Sequence, residues 1–279
     1  VNTYNNLGIV YRELGEYEKA INCFEKAIEI QPKSSVAFNN LGTAYKELGK
    51  FKKAINYYQK AIEIEPNYAN AYNYLGLVFK ELEEIQKAKS CYRKAIEIRP
   101  NYAQAWTNLG LLFKELGECE KVIDCFKKAI KYEPENLFNY FYLCELKNDI
   151  LDINLKNKIK KVIKNNNTKK NNIAYGNYLL SKYEQKAQNY EKELNYLFKG
   201  HLNYFKSKKT KFETETNDWL NVLPKIRNLV NFNKPNKNIK KINDKIKPIF
   251  IIGTPRCGST LIEKIIASGE MYIPVGEET

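Results

Sequence analysis

The chain has 279 residues, with 43% hydrophobic and 28% charged side chains. That length is enough for about two domains, and the balance is that of an ordinary soluble protein. No run of apolar residues is long enough for a transmembrane helix. The net charge of +14 is unevenly placed: residues 1–136 carry 20 basic and 18 acidic side chains, residues 137–247 carry 24 and 10, and residues 248–279 carry 2 and 4. Basic runs such as KNKIKKVIKNNNTKK and NKPNKNIKKINDKIK can attract nucleic acid or a membrane surface. No aromatic–basic recognition motif accompanies them, so they read as a solvated face and a linker, and no nucleic-acid partner is expected. Val1 lies inside a repeat and Thr279 follows closely on a glycine loop, so a fragment cut at both ends is expected.

The first half repeats itself. YNNLGIVYRELGEYEKAINCFEKAIEIQP from Tyr4 aligns with FNNLGTAYKELGKFKKAINYYQKAIEIEP from Phe38, and the pattern returns at Tyr72 and Trp106, each time 34 residues on. Leu-Gly pairs stand at 7–8, 41–42, 75–76 and 109–110, followed by Tyr11, Tyr45, Phe79 and Phe113. Next come Ala20, Ala54, Ala88 and Val122, then Phe24, Tyr58, Tyr92 and Phe126, then Ala27, Ala61, Ala95 and Ala129, and each unit closes at Pro32, Pro66, Pro100 or Pro134. Apolar residues three and four apart predict two amphipathic helices per unit. Gly15, Gly49 and Gly117 mark the turn between them, and the prolines stop the second helix. The small residues Gly8, Ala20 and Ala27 allow close helix approach.

These positions resemble the tetratricopeptide repeat over residues 1–134, at every signature position but one. The resemblance implies an all-α superhelix with a concave groove, because no single unit buries its own face. In that family the sixth repeat position usually faces the groove. Here it holds Asn6, Asn40 and Asn108, interrupted by Tyr74, with Asn5, Asn39 and Asn73 beside them. An amide can donate to and accept from a peptide backbone, so a peptide or protein ligand in the groove is expected. The lysine pattern with which some members clamp a C-terminal carboxylate is not matched.

Six cysteines (Cys23, Cys91, Cys119, Cys125, Cys144 and Cys257) form no CxxC pair. Cys23, Cys91 and Cys125 fall at equivalent repeat positions, which suits small buried hydrophobes better than disulfides. A reducing, cytoplasmic setting is expected. His201 is the sole histidine, too few for a two-histidine metal site, and it reads as structural or exposed.

After Pro134 the register weakens, and residues 137–232 read as degenerate repeats and further helices. A helical pair is expected at 173–205, where NYEKELNYLFKGH echoes EYEKAINCFEKAI with Gly200 in the place of Ala27. Residues 214–231 read as one more helix or two split at Pro224. Residues 233–247, with Pro235 and many Asn and Lys, read as a basic linker.

Residues 248–260, PIFIIGTPRCGST, nearly match the phosphate-loop pattern G-x-x-x-x-G-K-[ST], without its lysine. A buried strand, a glycine loop and a helix starting at Ser259 are expected, with backbone N–H groups facing an anion. PRCGSTL resembles the 5′-phosphosulfate loop of sulfotransferases, with Cys257 for Ser and Ser259 for Thr. GEET at Gly276–Thr279 stands as it does in tyrosylprotein sulfotransferases. The resemblance, covering residues 248–279, implies the truncated start of an α/β phosphate-loop domain that uses 3′-phosphoadenosine-5′-phosphosulfate (PAPS) as donor, without a metal. Thr254, Pro255, Arg256, Cys257, Gly258, Ser259 and Thr260 would hold the donor. Arg256 would clamp the phosphate, and Glu277 would take the proton of a hydroxyl acceptor, protein tyrosine among the candidates. The expectation is therefore a tetratricopeptide-repeat sulfotransferase, incomplete and inactive as this piece. Two alternatives stay open: a peptide-binding scaffold with a vestigial loop, and an ATP- or GTP-using phosphate-loop enzyme.

Overall fold

The computed structural model describes residues 1–147 and 150–207. Every regular element among them is helical. The first compact unit is Val1–Asp152. It contains α1 (Asn2–Glu13), α2 (Tyr17–Ile30), α3 (Ser35–Glu47), α4 (Phe51–Ile64), α5 (Ala69–Glu81), α6 (Ile85–Ile98), α7 (Ala103–Glu115), α8 (Cys119–Tyr132) and α9 (Leu137–Leu146). Each odd helix pairs antiparallel with the even helix after it, and each even helix packs on the next odd one. α9 continues this order by packing on α8.

The turn inside each pair is set by one backbone conformation. Gly15, Gly49 and Gly117 have φ of +80°, +69° and +72°. The left-handed residue lets the following N–H reach back to a helix carbonyl: Glu16 to Tyr11 at 2.9 Å, Lys50 to Tyr45 at 2.9 Å, Glu118 to Phe113 at 3.0 Å. This capping satisfies carbonyls that the helix end would leave open. The third repeat makes the same bond, Glu84 to Phe79 at 2.8 Å, but with Glu83 in the left-handed position at φ +59°. The even helices end differently. Gln31, Glu65, Arg99 and Glu133 are extended, with φ between −126° and −134°; each precedes a proline, whose ring disfavours helical geometry at the residue before it.

The core is a stack of one aromatic per repeat. Phe24, Tyr58, Tyr92 and Phe126 are fully buried, flanked by Ala20, Ala54, Ala88 and Val122 and by Ala27, Ala61, Ala95 and Ala129. The rings lie so close to the facing odd helix that a Cβ on Gly42 would sit 2.9 Å from Tyr58, and one on Gly76 2.7 Å from Tyr92. Beyond these pairings, neighbouring odd helices also touch, α1 with α3, α3 with α5 and α5 with α7. The odd helices therefore line the tighter, concave side of the stack, and the even helices splay outward.

The second unit begins at Ile153. α10 (Ile153–Lys164) buries Leu155, Ile159 and Val162 against α11 (Lys170–Lys186), and its Lys156 pairs with Glu184 of α11 at 3.1 Å. α12 spans 190–207. Between α11 and α12 the repeat turn returns: Gln188 is left-handed at φ +54°, and the Asn189 N–H bonds the Glu184 carbonyl at 2.9 Å. Across this hairpin Gly200 faces the Tyr178 ring, leaving no room for a Cβ. The helical pair expected at 173–205 is present as α11 and α12. The expected elements at 214–231, the linker at 233–247 and the α/β start at 248–279 lie outside the described residues.

Candidate functional site

The concave side of the first unit is built from the odd helices. The fifth repeat position holds Asn5, Asn39, Asn73 and Thr107, all buried. The sixth holds Asn6, exposed, Asn40, buried, Tyr74, half-buried, and Asn108, buried. Two of these columns meet across the repeat boundary. Asn108 Nδ2 donates to Asn73 Oδ1 at 2.8 Å, and Asn108 Oδ1 accepts from Gln104 Nε2 at 3.1 Å. Thr107 Oγ1 lies 2.8 Å from Asn139 Oδ1 on α9 and 3.0 Å from the Ala103 carbonyl. Asn108, expected to face a ligand, is spent on tying α5 to α7.

A third column, at the twelfth position, was legible at 34-residue spacing but is not among the expected site residues: Arg12, Lys46, Lys80 and Lys114. Lys80 pairs with Glu115 on the next odd helix at 2.7 Å, and Lys114 with Glu145 on α9 at 2.6 Å. Lys114 Nζ also sits 4.4 Å from the centroid of the Tyr142 ring. Lys46 pairs within its own helix, with Glu47 at 2.8 Å. Arg12 opens into a pocket of about 310 Å³ lined by Tyr17, Thr43, Lys46, Glu47 and Tyr74. Thr43 is anchored there by accepting from Tyr58 OH at 3.1 Å and donating to the Asn39 carbonyl at 2.9 Å.

A larger hollow of about 420 Å³ lies on the outer side, between α6, α7 and α8, with Ile96, Trp106, Phe113 and Cys125 in its wall. Lys128 lines it, 4.3 Å from the Trp106 ring and 2.9 Å from Asp124.

The stacked helix pairs and their shared turn define a helical repeat array. Family models described as tetratricopeptide repeat match residues 1–66, and 69–102 with 103–136. Residues 1–136 are tetratricopeptide repeats, a module suited to protein–protein interaction. Among solved structures, the chain is similar to PilF of Pseudomonas aeruginosa at 19% identity, covering 77% of this chain and 96% of that one with a TM-score of 0.55. It is also similar to MamA, at 25% identity, 65% and 96% coverage and a TM-score of 0.46. A third is the first tetratricopeptide domain of Spaghetti bound to an HSP90 peptide, at 28% identity, 41% and 91% coverage and a TM-score of 0.39. No curated protein matches the chain.

These findings correct the expectation of an enzyme. The matching family models are tetratricopeptide repeats, and the likeness to PilF is a likeness of repeat fold. Among the described residues there is no sulfotransferase domain; they form a purely helical array. A loop motif needs its strand–loop–helix setting to mean phosphate binding, and the loop and GEET resemblance rested on 32 residues alone. Thr254, Pro255, Arg256, Cys257, Gly258, Ser259, Thr260 and Glu277, with the PAPS donor assigned to them, lie outside the described residues. Among the described residues no helix is long and apolar enough to cross a membrane.

Proposed function

We propose that the chain is an interaction scaffold whose concave face, made by α1, α3, α5 and α7, holds an extended peptide segment of a partner protein. The observation that carries this reading is the composition of that face. It carries the amides of Asn6 and Asn40 and a column of cations at the twelfth position, and it opens into a pocket at Arg12, Lys46 and Tyr74. Asn6 and Asn40 offer amides on this face, where each can both donate to and accept from a peptide backbone. A rigid stack of helices presents such groups at fixed spacing, which lowers the ordering cost of binding.

The test is selection of random displayed peptides on the full chain, followed by backbone hydrogen exchange with a selected peptide bound. Protection confined to α1, α3, α5 and α7 is expected. Failure to select any peptide, or protection confined to the even helices, would sink the reading.

A further inference from the structure

The four cations of the twelfth repeat position are chemically alike but not alike in partners. Lys80 and Lys114 each reach forward to a carboxylate on the next odd helix, Glu115 and Glu145. By the same geometry Arg12 would reach Glu47, the counterpart of Glu115. Glu47 is instead held by Lys46 at 2.8 Å on its own helix. Arg12 is left without an ion pair among the described residues. It is half-buried and lines the 310 Å³ pocket with Tyr17, Thr43 and Tyr74.

We infer that this pocket, spanning the first three repeats, takes the carboxylate of one Asp or Glu side chain of the bound peptide. The inference rests on the concave-face reading above and adds the ligand's chemistry to it. The charge balance selects the ligand class. Lys46 and Glu47 cancel, so the pocket presents the single positive charge of Arg12. One carboxylate neutralises it, whereas a phosphate dianion would bring one charge too many against Glu47. The guanidinium offers a planar fork that matches a carboxylate with two parallel N–H···O bonds. Tyr74, stacked on the buried Tyr58 at 6.1 Å, and Thr43, bonded on both sides, are walls fixed before the ligand arrives. Partial burial makes such a bond stronger than on an open surface, because less water competes for the charge.

The test takes peptides selected at random on the full chain and measures their affinity for wild type, Arg12→Gln and Arg12→Lys by fluorescence anisotropy. Selected peptides are expected to share one acidic residue. Replacing it by its amide weakens binding to wild type by about 10-fold or more, and by less than about 2-fold in Arg12→Gln if the two groups are partners. Arg12→Lys restores part of the loss, since it keeps the charge without the fork. Unchanged thermal unfolding of both variants shows that the fold is intact. Peptides with no shared acid, or an acid whose effect is undiminished in Arg12→Gln, overturn the pocket assignment while the peptide groove stands. A phosphoserine peptide binding more tightly than its Glu counterpart overturns the carboxylate as ligand. An empty selection overturns the groove and the pocket together.

Discussion

The side chain of Asn108 donates to that of Asn73 at 2.8 Å, from one odd helix to the next and away from solvent. A second bond between uncharged side chains, Thr107 to Asn139, crosses the next concave joint. The Asn73 amide is fully buried, and its Nδ2 has no partner of its own. Removing the Asn108 donor leaves the Asn73 carbonyl oxygen buried and unpaired. Asn108→Ala is therefore expected to cost about 1–3 kcal/mol. The double variant with Asn73→Ala should cost less than the sum of the two single changes. Urea unfolding of the four proteins checks this, and strict additivity would show that the bond contributes nothing.

Glu83 stands where three other repeats have glycine. Its φ of +59° brings a side chain into a conformation in which Cβ crowds the following carbonyl. Glu83→Gly relieves that strain while leaving the Glu84 to Phe79 bond in place, and is expected to stabilise the first unit by about 1 kcal/mol. A lower unfolding midpoint for the variant would contradict this account of the turn.

The described cysteines should separate by burial. Burial pushes the Cys125 thiol up to about 12 and the Cys91 thiol up to about 11, while Cys119 is exposed. Because the thiolate is the reacting form, a maleimide at neutral pH is expected to label Cys119 quickly. Cys91 and Cys125 should react only after denaturant is added. Peptide mass spectrometry reads the order directly, and early labelling of Cys125 would be inconsistent with a closed fourth repeat.

His201 packs edge-on against Tyr178, with ring centroids 5.1 Å apart, and burial holds its pKa below the ordinary 6.5. The unfolded chain thus takes up the proton before the folded one does. Stability from the neutral imidazole is complete above about pH 6.5 and is lost as the pH falls through 6.5 toward the lower folded value. Pulse proteolysis in urea, mapped to cuts within 170–207, should show the second unit weakening over that window. His201→Phe should flatten the dependence, and a slope unchanged in that variant would remove His201 from the explanation.

Much of this was legible before any coordinates. The 34-residue spacing of Phe24, Tyr58, Tyr92 and Phe126 announced the buried stack, because each ring holds the same position on its own even helix, with small residues four before and three after it on the same face. Arg12, Lys46, Lys80 and Lys114 stood at the same spacing and were equally visible. Their partners were not: whether a lysine reaches Glu115 on the next helix or Glu47 on its own depends on the angle between repeats. For the same reason Asn108 was legible as a groove residue but not as a tie to Asn73. Glu83 shows the converse. Its left-handed backbone is imposed by the turn that its neighbours on both sides require, against its own preference.

The sequence by itself determined the repeat, its helix pairs and its turns, since those follow from local spacing and from what glycine and proline allow. It also offered a short glycine loop and a four-letter match whose promised chemistry needed a folded domain around them, and short patterns carry no such context. Only the tertiary structure decided which side of each helix became the concave face, which amides were consumed inside it and which cation was left unpaired. Those outcomes depend on how neighbouring repeats lean on one another, and that lean is the summed result of packing at every joint.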